Sequence, residues 1–230
     1  MNKQREKTGK KVRYVILPFY LFTFLFFACE TESYETGQGK YSLTQADMCE
    51  LMVNHQKQGA SFVTDEGDAY TLKPSYTATW IETADTTYRA IIYYNKVDAS
   101  QAEAVSIGEI PTLIPHEYWK FEDLQQDPIG VESAWLAKSG KYLNLGLLIK
   151  TGRINDKELP HSVGLAQDTL LTHPNGRRTA YYRLLHSQNG IPEYYTNRRY
   201  VSILLPTQHP DTIRLQIETY DGPLERVFTP

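Results

Sequence analysis

The side chains with most to offer a ligand in this chain are aromatic. Seventeen tyrosines are present, with doublets at Tyr93-Tyr94, Tyr181-Tyr182 and Tyr194-Tyr195. Neighbours on a strand point to opposite faces, so each doublet places one ring inside and one outside. Outward rings of this kind, together with Tyr76 and Trp80, would make a stacking platform for a sugar. Tyr76, Trp80, Tyr93 and Tyr94 are therefore the candidate ligand-binding residues. The plainer alternative is that tyrosine is a good strand former that tolerates half-burial. The acids say less. Asp65, Glu66 and Asp68 put three carboxylates in four residues, but their spacing matches no calcium loop, and a polar hairpin turn using Gly67 is the expectation. Glu82 and Asp85 read as solvated turn residues; acid–base work would require both to converge in a pocket. His55, His116, His161, His173, His186 and His209 show no His-x-His or His-x-x-x-His spacing and read as surface or packing residues. The pairs Arg177-Arg178 and Arg198-Arg199 read as strand-end or loop charges. No nucleophile elbow or usable phosphate loop is present, so no catalytic residue, metal or cofactor is expected and the chain is not read as an enzyme.

One cysteine carries a different chemistry. Lys3, Arg5, Lys7, Lys10, Lys11 and Arg13 precede the uncharged run from Tyr14 to Phe27, which ends at Ala28-Cys29. Fourteen residues fall short of the roughly 20 that a spanning helix needs. They suit the apolar middle of an export signal cut after a small residue. An ordinary cut needs no cysteine, whereas a lipoprotein cut does, because the thiol receives a diacylglycerol. The stretch resembles a bacterial lipobox, departing from it at Phe26 and Phe27. Residues 1–28 are thus expected to be a lipoprotein signal peptide and Cys29 the lipidation site. An uncleaved short anchor and a soluble secreted form are the alternatives. At about 0.8 kcal/mol per buried methylene, two or three acyl chains would hold the chain on a membrane without a spanning helix. Residues 29–40 read as a flexible acidic tether. Its Glu30, Glu32 and Glu35 resemble the export signal of surface-displayed lipoproteins, which implies an outer-membrane location.

Composition narrows the partners. Six of the 24 basic residues and one of the 27 acidic ones precede Cys29, so the remaining 202 residues carry 18 against 26, a net −8. That balance offers no basic face for nucleic acid. With Cys29 committed to lipid, Cys49 is the only other thiol, which excludes an internal disulfide and makes it a small buried apolar residue.

The elements that must position these residues are short and alternating. "GASFVTDEGDAYTL" reads as two strands around a turn at residues 65–68, and residues 87–97 and 101–115 as two more, the last ending at its prolines. Residues 44–59 suit either a short helix ending at Gly59 or a strand. After Asp127-Pro128, about seven short segments are punctuated by turn signals, as in a sandwich. Asn175-Gly176 and Asn189-Gly190 can take positive φ cheaply, so each is expected to close a hairpin. The reading is all-β: a five-strand barrel over residues 41–118, then an antiparallel sandwich over 119–230.

Several stretches carry a family resemblance. "DPIGVESAWLAKSGKYLNLGLLIKTG", "HSVGL" and "HSQNGIPEYYTNRRYVSILLP" resemble the C-terminal β-sandwich of NigD-like lipoproteins, with Tyr142-Leu143-Asn144 and Pro192-Glu193-Tyr194-Tyr195-Thr196 in order. "FVTDEGDAYTLKPS" and "TYRAIIYYNK" are similar to their N-terminal OB-type domain. The resemblance implies a two-domain protein on the cell envelope and, through the bacteriocin gene cluster that names the family, a part in immunity. It implies no catalytic residue. The expected function is a non-enzymatic envelope lipoprotein binding a protein or peptide partner, held to the membrane through Cys29; the alternative is a glycan-binding module.

Overall fold

The alternating segments from Thr44 onward all form strands. A computed structural model describes residues 43–154, 157–158 and 160–230; Cys29 and the tether lie outside the described residues. Five strands close a barrel: β1 (Gln45–Val53), β2 (Gly59–Thr64), β3 (Ala69–Tyr76), β4 (Thr87–Lys96) and β5 (Gln101–Glu109). Their order is β1-β2-β3-β5-β4, with β3 and β5 parallel and β4 returning to β1. This is an OB-like barrel. Of the two readings open for residues 44–59, the strand holds. Cys49, Leu51 and Val53 alternate inward, and β-sheet partners on both sides take the backbone groups that a helix would have satisfied internally. Phe62, Tyr70 and Tyr94 fill the centre with ring centroids 4.9–5.5 Å apart.

After Ile110 the chain enters the sandwich. Two-residue strands β6 (Thr112–Leu113) and β7 (His116–Glu117) pair in parallel with strands of opposite sheets. The exchange of sheets therefore comes between Glu109 and Thr112, earlier than the expected division at residue 118. The longer strands are β8 (Gly130–Leu136), β9 (Tyr142–Thr151), β12 (Ser162–Thr172), β13 (Arg178–Ser187), β14 (Tyr195–Leu204), β15 (Thr212–Thr219) and β16 (Gly222–Phe228), with a small hairpin of β10 (Arg153–Ile154) and β11 (Lys157–Glu158) between β9 and β12. One sheet runs β16-β15-β13-β12-β7, the other β6-β14-β9-β8. Leu143, Leu145, Leu147, Val201 and Ile203 from the second sheet meet Leu165, Tyr182, Leu184, Ile213, Leu215 and Ile217 from the first.

The two Asn-Gly signals part company here. Asn175-Gly176 closes the β12–β13 hairpin, with Gly176 at φ +80°. Asn189-Gly190 also takes positive φ, at 52° and 70°, but carries the chain from one sheet to the other, so the hairpin expected there does not form. No helix among the described residues is long and apolar enough to cross a membrane.

Candidate binding site between barrel and sandwich

The four aromatic candidates do not share one exposed face. Tyr94 points into the barrel at 1% exposure, and its hydroxyl donates to Asp47 Oδ2 at 2.9 Å. Burial, and then that carboxylate, push its phenol well above the usual range. It cannot stack on an outside ligand, which corrects that part of the expected platform. Its neighbour Tyr93, on the opposite face of β4, is 43% exposed. Tyr76 and Trp80 are half-buried against the barrel core. Tyr76 uses its hydroxyl on the backbone of Ile107, at 3.3–3.4 Å, bridging a stretch where β3 and β5 no longer pair. Trp80 meets Tyr88 edge-on at 5.5 Å.

The acids of residues 65–68 have other partners. Glu66 accepts from Lys138 at 3.0 Å, and Asp65 receives both terminal nitrogens of Arg89 at 2.6 Å. Asp85 lies 3.2 Å from His55 on the surface. Among the described residues no three His, Cys, Asp or Glu side chains gather as metal ligands. Cys49 is fully buried, and burial pushes its thiol up to about 12, which makes it a poor nucleophile.

The Arg89–Asp65 pair is the centre of a polar clasp between barrel and sandwich. Arg89 sits on β4 and is 5% exposed. Its Nε donates to Ser202 Oγ on β14 at 3.0 Å, and Nη2 also donates to Asn144 Oδ1 on β9 at 3.0 Å. Ser202 Oγ donates to the same Oδ1 at 2.7 Å, and Asn144 Nδ2 donates to Asp65 Oδ2 at 2.9 Å. The guanidinium lies 4.1 Å from the centre of the Tyr142 ring, whose hydroxyl donates to Glu50 on β1 at 2.9 Å. Burial works to raise the Glu50 carboxyl, but hydrogen bonds from Lys141 and Tyr142 outweigh it and hold it below the usual range. Tyr142 is pushed up to about 12 by burial and by the Glu50 carboxylate. A buried charge is tolerated only when paired and hydrogen-bonded, and here each member supplies what its neighbour lacks. The alternation on β9 explains the pattern: Tyr142 and Asn144 face the barrel while Leu143 and Leu145 face the sandwich core.

Beside this clasp a groove of about 820 Å³ separates the barrel from the open side of the sandwich. Ile91, Gly108 and Glu109 form the barrel wall, and five consecutive residues, Asn197 to Val201, form the other. The strand β14 is open there because β6 pairs only with Ser202 and Ile203. Arg198 pairs with Glu132 on the surface, whereas the Arg199 side chain has no hydrogen bond or ion pair among the described residues. His161 and Val163 reach the groove from the opposite sheet. His161 Nδ1 lies 2.9 Å from His186 Nε2, and His186 Nδ1 lies 3.0 Å from the Asp127 carbonyl. That carbonyl can only accept, so the bonds assign a neutral chain of donors from His161 to His186 to Asp127. The Nε2 of His161 is then a buried acceptor without a partner. Burial, and then His186, hold the His161 imidazole below its ordinary value, while Asp127 opposes them.

Sequence reasoning missed both the clasp and this imidazole pair. The sequence separations of 25 from His161 to His186 and 113 from Arg89 to Ser202 hide the contacts from any spacing rule. The one available signal was an arginine in the apolar alternation of "TYRAIIYY". Its companion in the sandwich was Asn144 within "YLNLGLLI".

No family model matches the chain, and no curated protein matches it. Solved structures do. A NigD-like immunity protein from Bacteroides caccae is 22% identical with a TM-score of 0.62, over 81% of this chain and 97% of that one. A protein provisionally described as toxin-related, from Parabacteroides distasonis, is 15% identical at a TM-score of 0.61, over 81% of this chain and 93% of its own. A protein provisionally described as a lipoprotein, from Bacteroides fragilis, is 14% identical at 0.57, over 80% and 96%. At these identities the likeness is one of fold: this chain has the fold of a NigD-like immunity protein, in support of the resemblance carried by Tyr142-Leu143-Asn144 and Pro192 to Thr196.

Proposed function

We propose that the protein is a lipid-anchored, non-catalytic component of the bacterial cell envelope that binds a protein partner in the groove between barrel and sandwich. The groove carries this reading. It is walled by two β modules joined through a buried polar clasp, and it presents Arg199, whose side chain has no partner among the described residues, and an unpaired strand edge. The names of the structural neighbours, one an immunity protein and another toxin-related, support a proteinaceous toxin as the class of partner. The Ala28-Cys29 junction supports the anchor, and a lipoprotein among the neighbours agrees with it.

Two experiments test the two halves. For the anchor, replace Cys29 by Ser and fractionate cells fed a labelled fatty acid. Label in the wild type and loss of the variant from the membrane fraction are expected; an unlabelled wild type sinks the anchor. For the groove, place a photo-crosslinking residue at Asn197 and, as a control, at Glu225. One dominant protein adduct from position 197, absent from position 225, is expected in cells of the native host. Equal adducts from both positions would remove the groove from the proposal.

A further inference from the structure

The β14 backbone beside the groove is itself a recognition surface. Ser202 N donates to the Pro111 carbonyl at 3.0 Å, so the backbone groups of Ser202 point away from β9 and towards β6. Leu205, three residues on, donates in the other direction, to Lys141. Backbone direction alternates along a strand, and the β9–β14 register runs without a break from Tyr195 to Leu204. The N–H and C=O groups of Thr196, Arg198 and Tyr200 therefore point the same way as those of Ser202, past the end of β6 and into the groove. No backbone partner for them is found among the described residues.

We infer that the groove takes an extended polypeptide segment of the partner as an added strand on β14, continuing the line that β6 begins. This rests on the groove being the partner site, and it names how the partner is held. Strand addition draws affinity from main-chain hydrogen bonds and specificity from the side chains that alternate along the guest. The lining of the groove indicates what those side chains are. One face of the guest meets Arg199 and Asn197, with His161 opposite them; the other meets Ile91 and Gly108 of the barrel. The complement is a strand with an acidic residue on its inward face and apolar residues on its outward face. Glu109 also lines the groove and repels a second acid at that end. Charges on a free edge also deter sheet-to-sheet aggregation. Here the barrel wall already blocks a second sheet, and the space it leaves is that of a guest segment. A sugar would not need donors and acceptors repeating at strand spacing.

The test uses the mature full-length protein and a synthetic library of random ten-residue peptides. Selected peptides are remade with single N-methyl groups along the backbone. Methylation at every second amide is expected to weaken binding at least tenfold, and at the amides between to leave it within threefold. On the protein, Arg198→Pro deletes one groove-facing N–H and no bond to β9, so a loss of at least tenfold is expected. Glu132→Ala breaks the same Arg198 ion pair and should stay within twofold. If Arg198→Pro does not fold, the methyl scan decides alone. Peptides that bind and respond to Arg199→Glu but show no alternation overturn strand addition while leaving the groove as a binding site. A library with no binder, or binders indifferent to Arg199→Glu, overturns the peptide groove itself.

Discussion

At the scale of residues, two groupings of polar side chains, the Arg89 clasp and the His161–His186 pair, each make a measurable demand. Arg89 lies on the outer face of β4, opposite Ala90, Ile92 and Tyr94, where the sandwich buries it, and removing it leaves the Asp65 carboxylate with Asn144 as its one remaining side-chain donor among the described residues. Breaking one side of such a pair costs roughly 3–5 kcal/mol, much of it the stranded partner. Arg89→Met should therefore lower the urea midpoint sharply, and adding Asp65→Leu should restore part of the loss. A double variant no better than the single one would mean that Asp65 is adequately solvated alone. His161 makes a demand of the opposite sign. Its folded-state value lies below the unfolded 6.5, so the unfolded chain takes up a proton first and stability falls as pH drops through about 6.5. The groups acting on it are His186, which deepens the effect, and Asp127, which opposes it. Denaturation of wild type and His161→Gln at pH 7.5 and pH 5 should show the wild type losing more on acidification. Equal losses would remove His161 as the source.

At the scale of elements, periodicity carried most of the information. The run of Cys49, Leu51 and Val53 alternates, as do Leu143, Leu145 and Leu147, and both became strands with those residues inside. The segment from Pro192 to Thr196 leads into β14, as its β-rich continuation predicts. Gly152 is fixed by that segment: a Cβ there would stand 2.6 Å from the Pro192 carbonyl oxygen. What local pattern cannot give is the destination of a turn. Asn175-Gly176 and Asn189-Gly190 have the same chemistry and both reach positive φ, yet only the first joins neighbouring strands. Which sheet receives the next strand is decided by its core-facing residues meeting partners far along the chain. The same limit hid the site, since β14 is an open edge only because β6 stops after two residues. A substitution separates the local part. Gly176→Ala puts a Cβ into a left-handed position with open space around it. It should cost about 1 kcal/mol by chemical denaturation, from backbone strain alone. A cost several times larger would show that the turn packs against something beyond the hairpin.

At the scale of the whole molecule, the clasp makes barrel and sandwich one mechanical body. Each has its own apolar core, and two modules that merely touch would unfold separately. Here Arg89, Asp65 and Glu50 of the barrel share their hydrogen bonds with Ser202, Asn144 and Tyr142 of the sandwich, and exposing either half strands polar groups of the other. Unfolding of one should therefore carry the other with it. The tryptophans report the two halves: Trp80 packs against the barrel core, and Trp135 lies on β8 of the sandwich. Proteins retaining only Trp80 or only Trp135 should show coincident fluorescence transitions in urea. Arg89→Met combined with Asp65→Leu should pull the two curves apart, because the apolar pair keeps each core intact while removing the bonds that Arg89 and Asp65 make to Ser202 and Asn144 and leaving only those of Glu50 to Lys141 and Tyr142. Separate transitions already present in the unaltered clasp would mean that the cores are independent. The groove would then have walls free to move, and an added strand on β14 would have to order the barrel as it bound.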